Sequence, residues 1–182
     1  MTLPEMPAGL TASWLTDRFR ESGLLGEGRI EAVEREQVGD GTGMMSEVAR
    51  LRFRFAGDPG NTPASVVAKY PSTNPTNRAS AMAYNLYERE TRYFAELDAL
   101  TPALTPRTYF ADWHDDNFLI LMEDLGAYRV GNQAQGADLA DSQMMIDELA
   151  KLHGTFWRSG GRSRLGPAHS SKLPCQHHDR AV

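Results

Sequence analysis

Two residue types capable of chemistry stand out by their settings: a lysine that ends a short β-branched run, Val66-Val67-Ala68-Lys69, and a glutamate, Glu90, inside the next apolar repeat. Strand geometry places Val67 and Lys69 on one face and Val66 and Ala68 on the other. An amine on the apolar face of a strand is costly unless a carboxylate or a phosphate meets it. Glu90 can supply the carboxylate. In residues 79–100, Leu86, Glu90, Tyr93, Phe94 and Leu97 recur at spacings of three and four, which is one helical face. One turn either side of Glu90 are Leu86 and Phe94, so it has no cationic partner in its own helix, whereas Glu88 has Arg92 four residues on. Glu90 is therefore expected to reach Lys69; the alternative is a solvated glutamate at the edge of the stripe.

A phosphate is the other group that would satisfy Lys69, and a glycine run, Gly39-Asp40-Gly41-Thr42-Gly43, lies upstream. It falls between two expected strands, residues 29–38 and a segment in which Met45, Ala49, Leu51, Phe53 and Phe55 alternate with Ser46, Val48, Arg50, Arg52 and Arg54. That context excludes a Rossmann fingerprint, and the P-loop spacing is absent. What remains is a hairpin turn, either a plain one or one whose glycines let backbone N–H groups approach an anion.

The elements that must position these groups follow in order. Thr11 is an N-cap for a short helix through Trp14, Leu15 and Phe19 that serves as a lid or flanking element, with Trp14 a packing residue. Gly57-Asp58-Pro59-Gly60-Asn61 makes the turn into the Lys69 strand, and a polar loop over 71–77 leads to the Glu90 helix. Residues 107–113 and 118–122 form a second hairpin, and the unbroken Phe118-Leu119-Ile120-Leu121-Met122 reads as a buried central strand. Composition changes at Glu123-Asp124-Leu125-Gly126. A polar connection follows, then a helix with the stripe Met145, Leu149, Leu152, His153 and Phe156, closed by Gly160-Gly161. His153 and Trp157 are expected to be packing residues.

At 182 residues, with 41% hydrophobic and 24% charged residues, the chain has the composition of a globular protein with one core, or one and part of another. A net charge of −5 argues against a general nucleic-acid binder. The single Cys175 excludes an intramolecular disulfide and a cysteine-based zinc site. No segment approaches a membrane span and the start lacks a signal-peptide pattern, so a cytoplasmic location is expected. Residues 158–182 hold five of the 19 basic residues and one of the 24 acidic ones, so an acidic body carries a basic tail.

The order of elements, with the 39–43 glycine loop, Val67-Ala68-Lys69, Glu90 in Glu-Thr-Arg-Tyr-Phe, and Leu121-Met122-Glu123-Asp124-Leu125, resembles the amino-terminal lobe of a protein-kinase-like small-molecule phosphotransferase. The nearest group is the aminoglycoside phosphotransferase and choline kinase superfamily, in particular its ecdysteroid-kinase-like branch, over about residues 28–157. The resemblance implies an α+β fold: a five-stranded antiparallel sheet with one αC-type helix, then a hinge and the first helix of a second lobe. It implies ATP as the bound nucleotide, with Lys69 on the α- and β-phosphates and Glu90 holding Lys69. Gly41 and Gly43 would let the loop fold over the phosphates, and Ser46 would add a hydroxyl. Val67 would roof the adenine in an apolar slot shared with Val48 and Met122, and the backbone of Glu123 and Leu125 would meet its edge.

Phosphoryl transfer also needs an acid to take the acceptor's proton and further groups to hold Mg2+. In the family these come from a His-Gly-Asp loop and a later Asp in the second lobe. The chain is expected to be truncated before that lobe, through a shortened gene or a shifted reading frame, and unable to catalyse alone. His177-His178-Asp179 is a formal His-x-Asp, and with Cys175 it also reads as a metal cluster, but a disordered tail is the preferred reading. The expected organisation is a flanking helix over 1–27, the lobe over 28–125, hinge and first helix over 126–158, and the tail over 159–182. A small-molecule hydroxyl would be the acceptor in a full-length form, and self-association through the exposed lobe surface is expected. The other function class is a non-catalytic nucleotide-binding or protein-interaction module.

Overall fold

The computed structural model describes residues 3–38, 45–129, 131 and 135–157. Gly41 and Gly43, the Gly160-Gly161 pair and the Cys175 to Asp179 cluster lie outside them. Strands β1 (Arg29–Gln37), β2 (Ser46–Ala56), β3 (Ser65–Pro71), β4 (Thr108–His114) and β5 (Asn117–Glu123) form one antiparallel sheet in the order β1-β2-β3-β5-β4. Four α-helices accompany them among the described residues: α1 (Ala12–Glu21), α2 (Pro75–Ala83), α3 (Leu86–Arg92) and α4 (Leu139–Phe156). The fold class is the expected one.

Each face of the sheet carries its own core, and strand alternation decides which side chain joins which. On one face Ala49 and Leu51 from β2, Val66, Ala68 and Tyr70 from β3, and Leu119 and Leu121 from β5 are buried under Leu15 and Phe19 of α1. On the other, Ala111, Phe118 and Ile120 meet Ala81 of α2 and Tyr87 of α3. With both of its faces covered, β5 must be apolar at successive positions, which explains its unbroken run. The pairing Lys69↔Ile120 puts Lys69 on the α3 side.

Helix α1 is anchored at both levels. The Thr11 Oγ1 accepts from the Trp14 N–H at 3.2 Å as its N-cap, and Thr16 Oγ1 accepts from the Ile30 N–H at 3.0 Å, tying the helix to β1. Trp14 packs edge-on against Phe110 with ring centroids 5.6 Å apart. In the turn before β3, Gly60 has φ +58, and a Cβ there would lie 2.6 Å from the Gly26 N, so only glycine fits.

The segment expected as one helix over 79–100 is divided. It begins earlier, at Pro75, where Asn74 Oδ1 accepts from the N–H groups of Thr76 and Asn77. It stops at Ala83 and restarts at Leu86 after Asn85, which adopts φ 52, a left-handed conformation that asparagine tolerates better than most residues. A π-helical turn, Tyr93–Leu97, then widens the chain. These phase changes shift the buried face to Tyr87 and Thr91, leaving Leu86, Glu90 and Phe94 at its edge.

Helix α4 is capped by Asp138, whose Oδ1 accepts from the Asp141 N–H at 2.8 Å, and Glu148 reaches the lobe by accepting from the Leu104 N–H at 2.7 Å. Its expected stripe is not buried among the described residues: Met145 and Leu149 are exposed, as is His153, which is therefore not the core histidine expected, and so is Trp157. No helix among the described residues is long and apolar enough to cross a membrane.

Candidate functional site

Lys69 Nζ lies 2.5 Å from Glu90 Oε1, joining β3 to α3. The lysine side chain remains 25% exposed and the glutamate 33%, so the pair is held and still open to a ligand. Glu90 owes this to its place at the edge of the buried face: one position further in, at Thr91, it would be fully covered.

The pair opens onto a cleft of about 490 Å3 lined by Met45, Ser46, Lys69, Leu86, Tyr87, Arg89 and Glu90. Tyr87 builds one wall. Its ring stacks on Phe118 with centroids 4.5 Å apart, and its hydroxyl donates to the Met45 carbonyl at 2.7 Å, fixing the entry to β2 against α3. Burial pushes the Tyr87 phenol above its ordinary range, so it stays a donor. Arg89 sits at the rim, exposed, with no ion-pair partner among the described residues. Two cations and one carboxylate thus face a cleft that Met45 and Ser46 also line, an arrangement suited to an anion.

The sheet face runs on from the cleft as an apolar strip. Val48 pairs with Lys69 and Lys69 with Ile120; one register step along, Arg50 pairs with Val67 and Val67 with Met122. Val48, Val67 and Met122 are therefore neighbours on the Lys69 side, and Glu123 and Leu125 follow at the end of β5.

A model of the ecdysteroid kinase-like family matches residues 40–156, well over half of the chain. The chain belongs to the ecdysteroid kinase-like family. Comparison with curated proteins and with solved structures gives no match.

Within this ecdysteroid kinase-like lobe, Ser46, Lys69 and Glu90 come together at the cleft, whereas Val67 and Met122 lie along the adjoining strip, Glu123 pairs with Val66 of the opposite face, and Leu125 follows beyond β5; none of these four lines the cleft. At the end of β5 the Glu123 N–H donates to the Arg107 carbonyl at 2.8 Å and its Oε2 accepts from the Arg107 N–H at 3.1 Å, so Glu123 has no amide donor left for a ligand. The Leu125 N–H has no partner among the described residues, and its carbonyl accepts from the Tyr128 N–H. No group of three or more metal-ligating side chains occurs among the described residues.

Three contributors escape sequence reasoning. Tyr87 and Arg89 are hidden by the phase change at Asn85, which moves the buried face by one residue. Arg50, read from its alternation as part of a half-buried strand's polar face, instead donates through Nε to Asp124 Oδ2 at 2.8 Å, and Ser65 Oγ donates to the same oxygen at 2.8 Å. Its parity with Val48 is legible; its cross-strand neighbour is not, because register is set by the fold.

Burial alone would raise the Asp124 carboxyl, but hydrogen bonds from Arg50, Ser65 and the Gly126 N–H outweigh it and hold the carboxyl below its usual range. A depressed carboxyl stabilises the fold above the unfolded-state value, near 4, and the contribution disappears as pH falls through the folded value. Asp124→Asn is therefore expected to lower stability by about 1 kcal/mol at pH 7 and by less at pH 3. Urea unfolding of both proteins at the two pH values reads this; an equal difference at both would contradict it.

Proposed function

We propose that this lobe binds ATP with its phosphates in the cleft between β3 and α3, as the nucleotide-binding part of an ATP-dependent phosphotransferase acting on a small-molecule hydroxyl. The observation that carries this reading is the Lys69–Glu90 pair, partly exposed beside a cleft that Arg89 also faces. Lys69 would hold the inner phosphates, with Glu90 keeping its amine in place, and Arg89 would meet the outermost phosphate through its planar fork. The Val48, Val67 and Met122 strip suits a flat purine, and the Leu125 N–H would donate to its edge, a task closed to Glu123.

Mg2+ in such an enzyme draws charge from the transferring phosphate. Its ligands and the acid that would take the acceptor's proton are assigned to no described residue, so the part proposed for these residues is to bind and orient the nucleotide.

Thermal-shift and calorimetric titration of the 182-residue chain with Mg-ATP and with adenosine, beside an ATP-consumption assay, tests the reading. ATP should raise the melting temperature, and Arg89→Gln should weaken ATP binding about tenfold while leaving adenosine unchanged. Binding without consumption is the expected result for this chain alone. No shift with either ligand would overturn the proposal.

A further inference from the structure

Arg50 lies on the Lys69 face of β2, directly across from Val67, with its side chain directed toward the end of β5 rather than into open solvent. Its Nε donates to Asp124 Oδ2 at 2.8 Å, Ser65 Oγ donates to that oxygen at 2.8 Å, and the Gly126 N–H donates to Oδ1 at 3.0 Å. Glu36, the cross-strand neighbour of Arg50 on β1, accepts from its Nη1 at 3.3 Å. The Arg50 and Asp124 side chains are only 19% and 13% exposed. A Cβ at residue 126 would stand 2.5 Å from Arg50 Nη2, so a side chain there would push the guanidinium aside. Three segments, β2, β3 and the chain leaving β5, thus converge on one carboxylate that lies between Glu123 and Leu125, and β1 joins them through Arg50.

We propose that Arg50, Asp124 and Gly126 form a clasp that positions the Glu123 to Leu125 backbone against the purine, making Arg50 a residue that governs base recognition without touching the nucleotide. This rests on the reading of the cleft and strip as a nucleotide site. Adenine presents an unprotonated ring nitrogen to the Leu125 N–H, whereas guanine presents a protonated one, so the clasp selects adenine by holding that donor still. Three charge-assisted bonds hold the carboxylate, and losing the guanidinium loosens the chain that leaves β5 after Glu123.

The test uses the full chain and measures affinities for adenosine, ATP and GTP in wild type, Arg50→Ala, Asp124→Ala and the double variant, with Lys69→Met as a contrast. Arg50→Ala is expected to weaken adenosine and ATP by the same factor, about tenfold, and to narrow the preference for ATP over GTP. The double variant should be no weaker than either single one, the signature of a shared unit. Lys69→Met should instead weaken ATP and spare adenosine, a pattern that general loosening of the fold would not give. Should Arg50→Ala fail to fold, Asp124→Asn and Gly126→Ala read the same clasp and should show the same equal losses. Unchanged adenosine affinity in the folded variants, or a loss confined to ATP, would overturn the clasp alone. Wild type binding neither adenosine nor ATP would overturn it together with the function on which it rests.

Discussion

Lys69→Met is expected to weaken ATP binding by about 100-fold while costing no more than about 1 kcal/mol of stability. The two numbers separate because the pair's two jobs differ in size. As a structural contact it is a partly exposed ion pair with side chains 25% and 33% accessible, and water screens much of its attraction. As a ligand contact, the amine would meet a multiply charged phosphate chain in a cleft where Tyr87 and Leu86 displace water. Methionine keeps the stem's length and apolar packing on β3, so the fold has little reason to respond. Isothermal titration with ATP and adenosine, with urea unfolding of the same preparations, reads both numbers. Equal losses for the two ligands, or a stability loss of several kcal/mol, would show that Lys69 serves packing more than phosphate.

The second large effect is on the other side of the same cleft. Phe118→Ala is expected to destabilise the protein by about 3–5 kcal/mol, a large share of the total stability of an ordinary domain. Phe118 is fully buried, and its ring supports Tyr87, which in turn holds Met45 and stands three residues before Glu90. Leu119→Ala opens a comparable cavity in the opposite core, beneath α1, and is expected to cost about 2–5 kcal/mol. The two should part company in function. Below their melting temperatures, Phe118→Ala loses the wall of the cleft and weakens ATP binding, whereas Leu119→Ala leaves binding close to wild type. Equal binding by both would mean that the Tyr87 wall contributes nothing to the site.

Much of this lobe is legible in the sequence because alternation is a strong constraint. Val66, Ala68 and Tyr70 fall on the buried side of β3 and Lys69 on the other, as period-2 geometry requires, and the unbroken run of β5 announces a strand covered on both faces. Glu90 was legible by elimination, having no cation within its own helix. The helical segment was less so, since spacings of three and four survive a slip of one residue. The left-handed turn at Asn85 therefore leaves no trace in the pattern, though it decides that Tyr87 and Arg89 join the site. The clasp stayed hidden for a different reason: Arg50 and Asp124 are 74 residues apart, and only the order β2-β3-β5 brings their ends together. The α4 stripe shows the limit of periodicity from the other side, because an apolar face states that something should cover it and not what, and among the described residues Met145, Ile146 and Leu149 remain exposed.

The most direct measurement is a double-mutant cycle on ATP affinity using wild type, Lys69→Met, Glu90→Gln and the two combined. If Glu90 acts by holding the lysine amine toward phosphate, Glu90→Gln alone weakens binding, and the combined variant binds no more weakly than Lys69→Met. Losses that add in full, or a Glu90→Gln protein that binds ATP like wild type, would contradict the account.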